Sequence, residues 1–306
     1  MTTTPNFIHE NIPLARYTTL GVGGRAKYFA TITSADQLND LNNWIIQHGK
    51  ALEFFVLGGG SNVIFSDKGF DGLVIKNKIK IFSYSDSTCQ IGAGNSMSEI
   101  VDFATKQGIK GFEWAAGLPG TVGGAIYGNA GCYHGQIWDH LKSISYFEIN
   151  ETSGKKIEIK VKPNMFGYRQ SIFKSELANI IVSAQLKIKR APRDKEAVKQ
   201  KMRLVLKKRQ ESNPKEKSVG CFFKNPEILG KEFSAGKLIE EAGLKGRRVG
   251  GAMVSKKHAN FLVNSPDHGQ TATAEDFIKL IEIIKVDVKF KLGVLLEEEI
   301  IKVGKF

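Results

Sequence analysis

Two glycine-rich runs are the features of this sequence best suited to chemistry at a ligand. The first, Gly58-Gly59-Gly60-Ser61-Asn62, directly follows an apolar stretch that ends at Leu57. The second run consists of Gly117, Pro119, Gly120, Thr121, Gly123, Gly124 and Ala125, and continues to Asn129. Backbone N–H groups with no side chain in front of them can form a concave anion site. Either run alone favours a tight turn, but the two together predict one extended ligand that carries a pyrophosphate.

The spacing of these glycines excludes the common nucleotide-binding motifs. The run 58–60 leads into a second predicted strand, whereas a Rossmann fingerprint leads into a helix and has the spacing GxGxxG. The GxxxxGK[ST] pattern of a P-loop is absent. The six histidines show no metal-ligand spacing, and no GxSxG elbow marks a hydrolytic serine. No metal site is predicted.

The positive charge of the chain is concentrated in one segment. Residues 185–217 contain 13 basic and 4 acidic residues, a net charge of +9 out of +13, so the rest of the chain carries only +4. Within this segment Val198, Met202, Val205 and Arg209 fall at helical spacing and predict one apolar stripe on a basic helix. A solvated helix face that joins two domains is the first interpretation, and a field that attracts small polyanions is the second. Nucleic-acid binding comes last, because no reader motif accompanies the charge.

The elements that must position the glycine runs alternate between strands and helices. Ser34 with Gln37, and Ser96 with Glu99, have the spacing of capping boxes and predict two helix starts. A third, long helix is predicted between Thr273 and Gly293, which have the character of an N-cap and a C-cap. The composition changes after the basic helix, and we place a domain boundary near residues 190–212.

The sequence favours a soluble protein of a reducing compartment. No apolar stretch approaches the roughly 20 residues that a membrane span requires, and the first residues lack the pattern of a secretory signal. Three widely spaced cysteines form no CxxC pair or disulfide framework. We therefore expect a cytoplasmic protein with no membrane insertion.

Seven short motifs, taken together, carry a resemblance to a known family. They are Tyr17–Gly24, Leu57–Asn62, Ala116–Ala125, Phe166–Ser171, Phe223–Pro226, Ala235–Ile239 and His258–Phe261. Each motif alone is weak, but their joint order and spacing is specific. Over nearly its whole length the chain resembles the UDP-N-acetylenolpyruvoylglucosamine reductases, and it looks like the shorter type, because residues 169–221 leave no room for the substrate-covering tyrosine loop of the longer type.

The resemblance implies an α+β protein with a FAD-binding domain of the vanillyl-alcohol-oxidase (PCMH) type. Residues 1–190 would form this domain from two α+β subdomains, divided near residues 75–80. Residues 191–212 would be the basic connecting helix, and residues 213–306 a C-terminal α+β substrate domain. FAD would be bound non-covalently by the two glycine runs, from Leu57 to Asn62 and from Gly117 to Asn129.

The resemblance also implies a reaction in two steps. NADPH would reduce the flavin and leave, and the reduced flavin would pass a hydride to C3 of UDP-N-acetylglucosamine enolpyruvate, giving UDP-N-acetylmuramate for peptidoglycan synthesis. Arg169 matches the family's arginine and suits a carboxylate that gains charge. Glu299 matches the glutamate that stabilises the enolate, with Glu297 as an alternative one register away. The family usually has an arginine two residues after this glutamate, where this chain has Ile301.

Cys221 is the clearest departure from the family pattern. Most members have a serine at this position, before the Phe-Phe-Lys-Asn-Pro stretch, as the donor of the C2 proton. A thiol can donate this proton, since its reference pKa of about 8.5 lies far below that of an alcohol. It is also open to oxidation and alkylation. We expect Cys221 to be the general acid. The alternative is that it is only a small, buried apolar residue with no chemical role.

Substrate contacts are expected at five further positions, and two rival functions stay open. Those positions are Tyr168, Lys224, Asn225, His258 and Asn260. Another flavin oxidoreductase of the same fold, acting on an alcohol or a sugar, is the first rival. A basic nucleic-acid-binding protein is the second, and it would carry no flavin. The expected partner is thus a small molecule and not a nucleic acid, and the expected oligomeric state is a monomer.

Overall fold

The computed structural model describes residues 4–49, 52–150, 154–175, 179–190, 195–266 and 271–306. The helices are α1 (Gln37–Gln47), α2 (Met97–Gln107), α3 (Val122–Gly128), α4 (Ile172–Ser175), α5 (Lys195–Ser212), α6 (Ala235–Glu241) and α7 (Ala274–Leu292). Four short 3-10 helices accompany them in these ranges. Among the described helices, none is long and apolar enough to cross a lipid bilayer.

Twenty-two strands, many of them short, lie within the described ranges. They are β1 (Ile8–Pro13), β2 (Arg25–Ile32), β3 (Phe54–Leu57), β4 (Val63–Phe65), β5 (Phe70–Asn77), β6 (Phe82–Tyr84), β7 (Thr88–Gly92), β8 (Ile109–Lys110), β9 (Gly131–Cys132), β10 (Gly135–Gln136), β11 (Leu141–Glu148), β12 (Lys155–Lys160), β13 (Phe166–Gly167), β14 (Gln170–Ser171), β15 (Asn179–Lys187), β16 (Lys189–Arg190), β17 (Glu227–Ile228), β18 (Lys231–Glu232), β19 (Arg248–Val249), β20 (Ala252–Val254), β21 (Leu262–Asn264) and β22 (Ile301–Val303).

The chain divides into two compact units. Unit 1 comprises residues 1–9, 28–59 and 72–209, and unit 2 comprises residues 10–27, 60–71 and 210–306. Unit 2 therefore also takes two stretches of the first 190 residues. The assignment of one FAD-binding domain and one substrate domain stays a prediction. Residues 191–194 of the expected connecting helix lie outside the described residues, and α5 follows them.

Unit 1 is built on two β-systems, each with its own apolar core. An antiparallel sheet of order β12-β11-β15-β7-β6 packs against α2, α3 and α5. Strand β3 runs parallel to β5, within a sheet of order β1-β2-β5-β3, and the second core lies between these strands and α1. The first glycine run begins directly after β3, and the second follows the 3-10 helix Glu113–Ala115, which packs in the core of the antiparallel sheet.

The helix ends of unit 1 show which capping signals are realised. Ser96 and Glu99 form the predicted capping box at the start of α2. The predicted N-cap at Ser34 is wrong, because α1 begins at Gln37 with Asp36 as its N-cap, two residues later than the spacing suggests. Only half of the predicted capping box forms: Gln37 Oε1 accepts from the N–H groups of Thr33 and Ser34 at 2.7 and 3.2 Å, and among the described residues no bond from the helix to the Ser34 hydroxyl is present.

The basic helix α5 packs as its apolar stripe predicts. Val198 and Met202 are buried in the core below the antiparallel sheet, and Val205 is partly buried there. The lysines of α5 are exposed, apart from the half-buried Lys199. The helix is thus held by one narrow stripe, as expected of an amphipathic surface helix.

Unit 2 is organised around α7. The predicted limits of the helix, Thr273 and Gly293, are confirmed, and the structure adds that Thr273 forms a capping box with Asp276 and that Gly293 is a left-handed C-cap. Its buried face packs on α6 and on the small antiparallel sheet β19-β20-β21. Strand β22 pairs in parallel with β4. Phe277 of α7 stacks on Phe222 with ring centroids 6.0 Å apart, and both side chains are fully buried.

Replacing Phe277 by alanine should lower the free energy of unfolding by about 3–5 kcal/mol, because it removes a buried aromatic ring and leaves a cavity against Phe222. Urea unfolding of the purified protein measures this loss. Val286→Ala is the control, since Val286 lies on the same helix but is 63% exposed, and its change should stay within about 0.5 kcal/mol. Equal losses for the two variants would contradict this description of α7.

Candidate active site

The two glycine runs approach each other within unit 1 so closely that no side chain fits between them. A Cβ atom on Gly58 would lie 2.5 Å from Oγ1 of Thr121, and one on Gly59 would lie 2.6 Å from Cα of Gly120. Distances below 3 Å are not tolerated between such atoms. The buried Leu57 at the end of β3 fixes where the first run begins. The result is a cradle of bare backbone, which we call the glycine cradle (residues 58–59 and 120–121).

The second run is held in place by backbone hydrogen bonds from the turn between β7 and α2. Val122 and Gly123 donate their N–H groups to the carbonyls of Asn95 and Ala93, both at 2.9 Å. Thr121 is the N-cap of α3 and accepts a bond from the N–H of Gly124 at 3.4 Å. Two further glycines of the run, Gly117 and Gly120, have φ angles of +73° and +111°. Ala125 is buried in the same core.

Asn129, at the end of α3, carries a buried acceptor without a partner. The residue is 1% exposed and has a left-handed backbone with φ of +43°. Its Nδ2 donates to the carbonyl of Gly167 at 2.7 Å and to Oε1 of Gln136 at 3.0 Å. Its Oδ1 is buried and finds no hydrogen-bond partner among the described residues. A buried acceptor of this kind usually has a partner, so it fits a ligand that offers an N–H.

Arg169 lies in a tight hairpin. Strands β13 and β14 pair through Gly167 and Gln170, so Tyr168 and Arg169 form the two-residue turn. Arg169 has φ of +55°, a conformation that costs a residue with a Cβ of order 1 kcal/mol or more. Its guanidinium carbon lies 5.1 Å from the centroid of the Tyr168 ring, which is 47% exposed.

The hairpin is fastened to α3 and α4 of the same unit. Asn129 binds the carbonyl of Gly167, and Ser171 Oγ donates to the carbonyl of Tyr127 at 2.7 Å. Lys174 Nζ donates to the carbonyl of Arg169 at 2.6 Å. These bonds hold the strained turn in place. The position of Arg169 is therefore fixed relative to α3, the helix that follows the glycine cradle.

In unit 2, the remainder of the first glycine run contacts the chain segment of Glu299. Gly60 has φ of +70°, and a Cβ there would collide with the carbonyl of Tyr17. Ser61 is half-buried. Asn62 Nδ2 donates to the carbonyl of Glu299 at 3.2 Å, and the carbonyl of Asn62 accepts from the N–H of Ile301 at 3.1 Å.

Cys221 and Glu299 lie on adjoining extended segments of unit 2. The N–H of Glu299 donates to the carbonyl of Phe222 at 2.8 Å, one residue after Cys221. The N–H of Lys224 donates to the carbonyl of Glu297, also at 2.8 Å. Both Cys221 and Glu299 are half-buried. The backbone thus brings together these two residues that the sequence separates by 78 positions.

The neighbours of Glu299 are engaged by lysines. Glu297 is paired with Lys224. The largely buried Glu298 is paired with Lys285 at 3.1 Å and Lys302 at 2.8 Å. Burial on its own raises the pKa of Glu298, but the hydrogen bonds from the two lysines outweigh it and hold this pKa below its usual value. The choice between Glu299 and Glu297 as the catalytic carboxylate stays a prediction.

Asn260 and His258 are tied to the same segment. Asn260 is 2% exposed, and its side chain donates to the carbonyl and accepts from the N–H of Phe223 at 2.8 and 2.9 Å. His258 packs edge-on against Phe261, and burial lowers its pKa below the usual value. Its Nδ1 accepts from the N–H of Asn260 at 3.3 Å, so the neutral ring presents Nε2 as a donor.

Asn225, ten residues before α6 in the sequence, bonds to the first N–H group of that helix. Its Oδ1 accepts from the N–H of Ala235 at 3.1 Å, and its Nδ2 donates to Glu232 at 2.9 Å. This bonding orders the segment that follows Lys224.

Sequence reasoning did not identify two residues that contact the glycine runs. Arg209, placed on the apolar stripe of α5, donates through Nε to the carbonyl of Ala116 at 3.0 Å, directly before Gly117. Lys76, near the end of β5, donates through Nζ to the carbonyl of Gly58. Neither has a local signal, because a single basic residue in a strand or helix is common on protein surfaces.

The fold and the glycine cradle define a flavin-binding protein. Residues 26–158 match the family model described as FAD binding domain. The expected α+β architecture, with a FAD-binding domain of the vanillyl-alcohol-oxidase type, is confirmed. Residues 212–303 match the model of the UDP-N-acetylenolpyruvoylglucosamine reductase C-terminal domain.

Comparison with whole proteins gives the particular family. The chain is 38% identical over 97% of its length to the UDP-N-acetylenolpyruvoylglucosamine reductase of Protochlamydia amoebophila, covering 94% of that protein. It is also 38% identical to the reductase of Caldicellulosiruptor bescii, over 96% of this chain and 90% of that one. The crystal structure of the Thermus caldophilus reductase matches with a TM-score of 0.78 and 34% identity, covering 97% of this chain and all of that one. The chain belongs to the UDP-N-acetylenolpyruvoylglucosamine reductase family.

Replacing Arg169 by glycine should raise the free energy of unfolding by up to about 1 kcal/mol, because glycine adopts the left-handed conformation without a steric cost. Chemical denaturation measures the change. Gln170→Gly is the matched control, since Gln170 begins a strand with an ordinary backbone, and this variant should lose stability. Equal losses in both variants would show that the turn at Arg169 stores no strain.

Proposed function

We propose that this protein is a FAD-dependent reductase that converts UDP-N-acetylglucosamine enolpyruvate to UDP-N-acetylmuramate in peptidoglycan precursor synthesis. NADPH is the proposed electron donor. The observation that carries the proposal is the match of almost the whole chain to reductases of that name, at 36–38% identity. The glycine cradle, Arg169, Cys221 and Glu299 supply the residues that such a reaction needs.

The residues of unit 1 suit FAD as the cofactor. The glycine cradle offers backbone N–H groups that no side chain covers, which suits the pyrophosphate of a dinucleotide. The buried Oδ1 of Asn129 lacks a donor, and a flavin ring carries an N–H. When bound, FAD would accept a hydride from NADPH and deliver it to C3 of the enolpyruvyl group. We propose that the residues from Leu57 to Asn62 and from Gly117 to Asn129 hold it non-covalently.

Arg169 is proposed to stabilise the substrate carboxylate. Addition of a hydride at C3 moves an electron pair towards this carboxylate, which acquires enolate character. A guanidinium binds two oxygens at once and cannot lose its charge at neutral pH. The fastened hairpin fixes its direction before the substrate arrives, and such preorganised charge contributes most to catalysis. Tyr168, packed on the guanidinium, would form part of the same substrate surface.

Cys221 is proposed as the general acid that protonates C2. The S–H bond breaks as the C2–H bond forms, and the resulting thiolate takes a proton from water before the next turnover. Among the three thiols of the chain, Cys221 is half-buried, whereas burial raises the pKa of the Cys89 thiol to about 11. Cys89 lies in the core of the antiparallel sheet, where it has no access to a substrate.

Glu299 is proposed to stabilise the enolate through a hydrogen bond, which requires its carboxyl group to be protonated at that moment. Lys224, Asn225 and His258 are proposed contacts to the UDP moiety. For Asn260 we propose an indirect role. Its side chain is buried and fully used in holding Phe223, so it positions the backbone next to Cys221.

We further propose that the protein acts in the cytoplasm, as a monomer and without a membrane or nucleic-acid partner. Its substrate and NADPH are small soluble molecules. The lysines of α5 belong to an amphipathic helix that packs on unit 1, which supports a solvated face more than a binding surface for nucleic acid.

Replacing Cys221 by alanine should lower turnover at least a hundredfold, because the C2 proton loses its donor. Flavin reduction by NADPH should keep its wild-type rate, since no proton donor at C2 is needed for it. Stopped-flow spectroscopy separates the two half-reactions. Full turnover in Cys221→Ala would exclude Cys221 as the general acid.

Cys221→Ser provides the matched control for this assignment. Serine occupies this position in most of the family, so the variant should retain substantial turnover and should resist alkylating reagents that inactivate the wild type. Loss of this resistance would place the sensitive thiol at Cys132 or Cys89.

A further inference from the structure

Lys76 places an ammonium group next to the glycine cradle. Its position in β5 is paired with Leu57 of β3, so its side chain reaches past the end of β3 to the first glycine. There its Nζ donates a hydrogen bond to the carbonyl of Gly58. The residues that precede it in the strand, Val74 and Ile75, are fully buried. A lysine is an unusual choice at the inner end of such a strand.

The positive charge of Lys76 lowers the stability of the folded chain, because the side chain is partly removed from water. Burial, and to a smaller extent the charge of Lys78, together lower the pKa of Lys76 to about 8. No carboxylate among the described residues forms an ion pair with it. The neighbouring strand β3 and the four residues of the glycine cradle contain no titratable side chain. In the part of β2 that belongs to unit 1, Tyr28 is the titratable residue, and its ring packs on Trp44.

We propose that Lys76 is a cofactor-binding residue whose ammonium pairs with the pyrophosphate of FAD at the glycine cradle. This inference rests on the proposed function. By holding the Gly58 carbonyl, the ammonium also keeps this oxygen from facing the bound anion, so that the N–H groups of the loop remain available to it. A half-buried cation with no carboxylate partner among the described residues is then explained by a partner that arrives with the ligand.

Lys76→Met tests the assignment, because methionine keeps the length of the side chain and removes its charge. The dissociation constant of FAD, measured from the fluorescence released on dilution of the holoprotein, should rise about ten- to hundredfold at pH 7. Lys78→Met is the control. Lys78 lies two residues further along the chain, and its side chain is exposed. Its replacement removes the same charge and should change the dissociation constant of FAD less than threefold.

The pH dependence gives a second readout. Only the protonated form of Lys76 attracts the anion, so FAD should bind the wild type about tenfold or more weakly at pH 9.5 than at pH 7. The Lys76→Met protein should show a much flatter profile over this range. A profile identical to that of the wild type would overturn the proposal.

The stability of the flavin-free, full-length protein distinguishes a binding role from a structural one. A lysine with a lowered pKa in the folded state reduces stability below pH 8, and this penalty is relieved as the pH rises towards 10.5. Lys76→Met should therefore raise the melting temperature at pH 7 while it weakens FAD binding. A lower melting temperature with unchanged FAD affinity would make Lys76 a structural residue. Failure of the wild type itself to bind FAD would instead contradict the proposed function.

Discussion

The close approach of two stretches of bare backbone is the constraint on which unit 1 depends. Gly58 and Gly59 lie so near Gly120 and Thr121 that the space of a single methyl group is missing at each contact. Backbone N–H groups that lie this close to the surface of a loop must find a partner. The core around α1 holds β3, whose end leads into the first run, and the core below the antiparallel sheet holds Trp114–Ala116 and α3, which flank the second run. Arg169, the proposed catalytic arginine, depends on the same arrangement, since its hairpin is bonded to α3, the helix that begins within the second glycine run.

In unit 2, asparagine side chains hold neighbouring backbone segments together. Asn260 satisfies both backbone groups of Phe223, and Asn62 binds the carbonyl of Glu299. These bonds join segments that are too short for regular strands, and each lies next to a proposed catalytic residue. The core of α7 and its aromatic stack with Phe222 support them from below. These two asparagines fix the irregular segments that carry the proposed catalytic residues Cys221 and Glu299.

The sequence predicts those parts of the structure that local signals determine. The caps at Ser96, Thr273 and Gly293 and the apolar stripe of α5 follow from residue type and spacing, and they are confirmed. The predicted N-cap at Ser34 is two residues too early, because only the bond from the Ser34 N–H to Gln37 forms and the helix itself begins after Asp36. Contacts between residues far apart in the sequence could not be predicted from local signals. The bonds of Lys76 and Arg209 to the glycine runs arise only when distant segments meet. The glycine runs can be recognised in the sequence because closely spaced glycines expose backbone N–H groups that side chains would otherwise cover.

The most direct test is a visible absorption spectrum of the purified protein, followed anaerobically with NADPH and then with UDP-N-acetylglucosamine enolpyruvate. A flavin spectrum that bleaches with NADPH and recovers on addition of the enolpyruvyl sugar is the predicted result, and it would establish both half-reactions. Bleaching without recovery would leave a flavoprotein with a different substrate. A protein that contains no flavin, and binds none when FAD is added, would contradict the central claim.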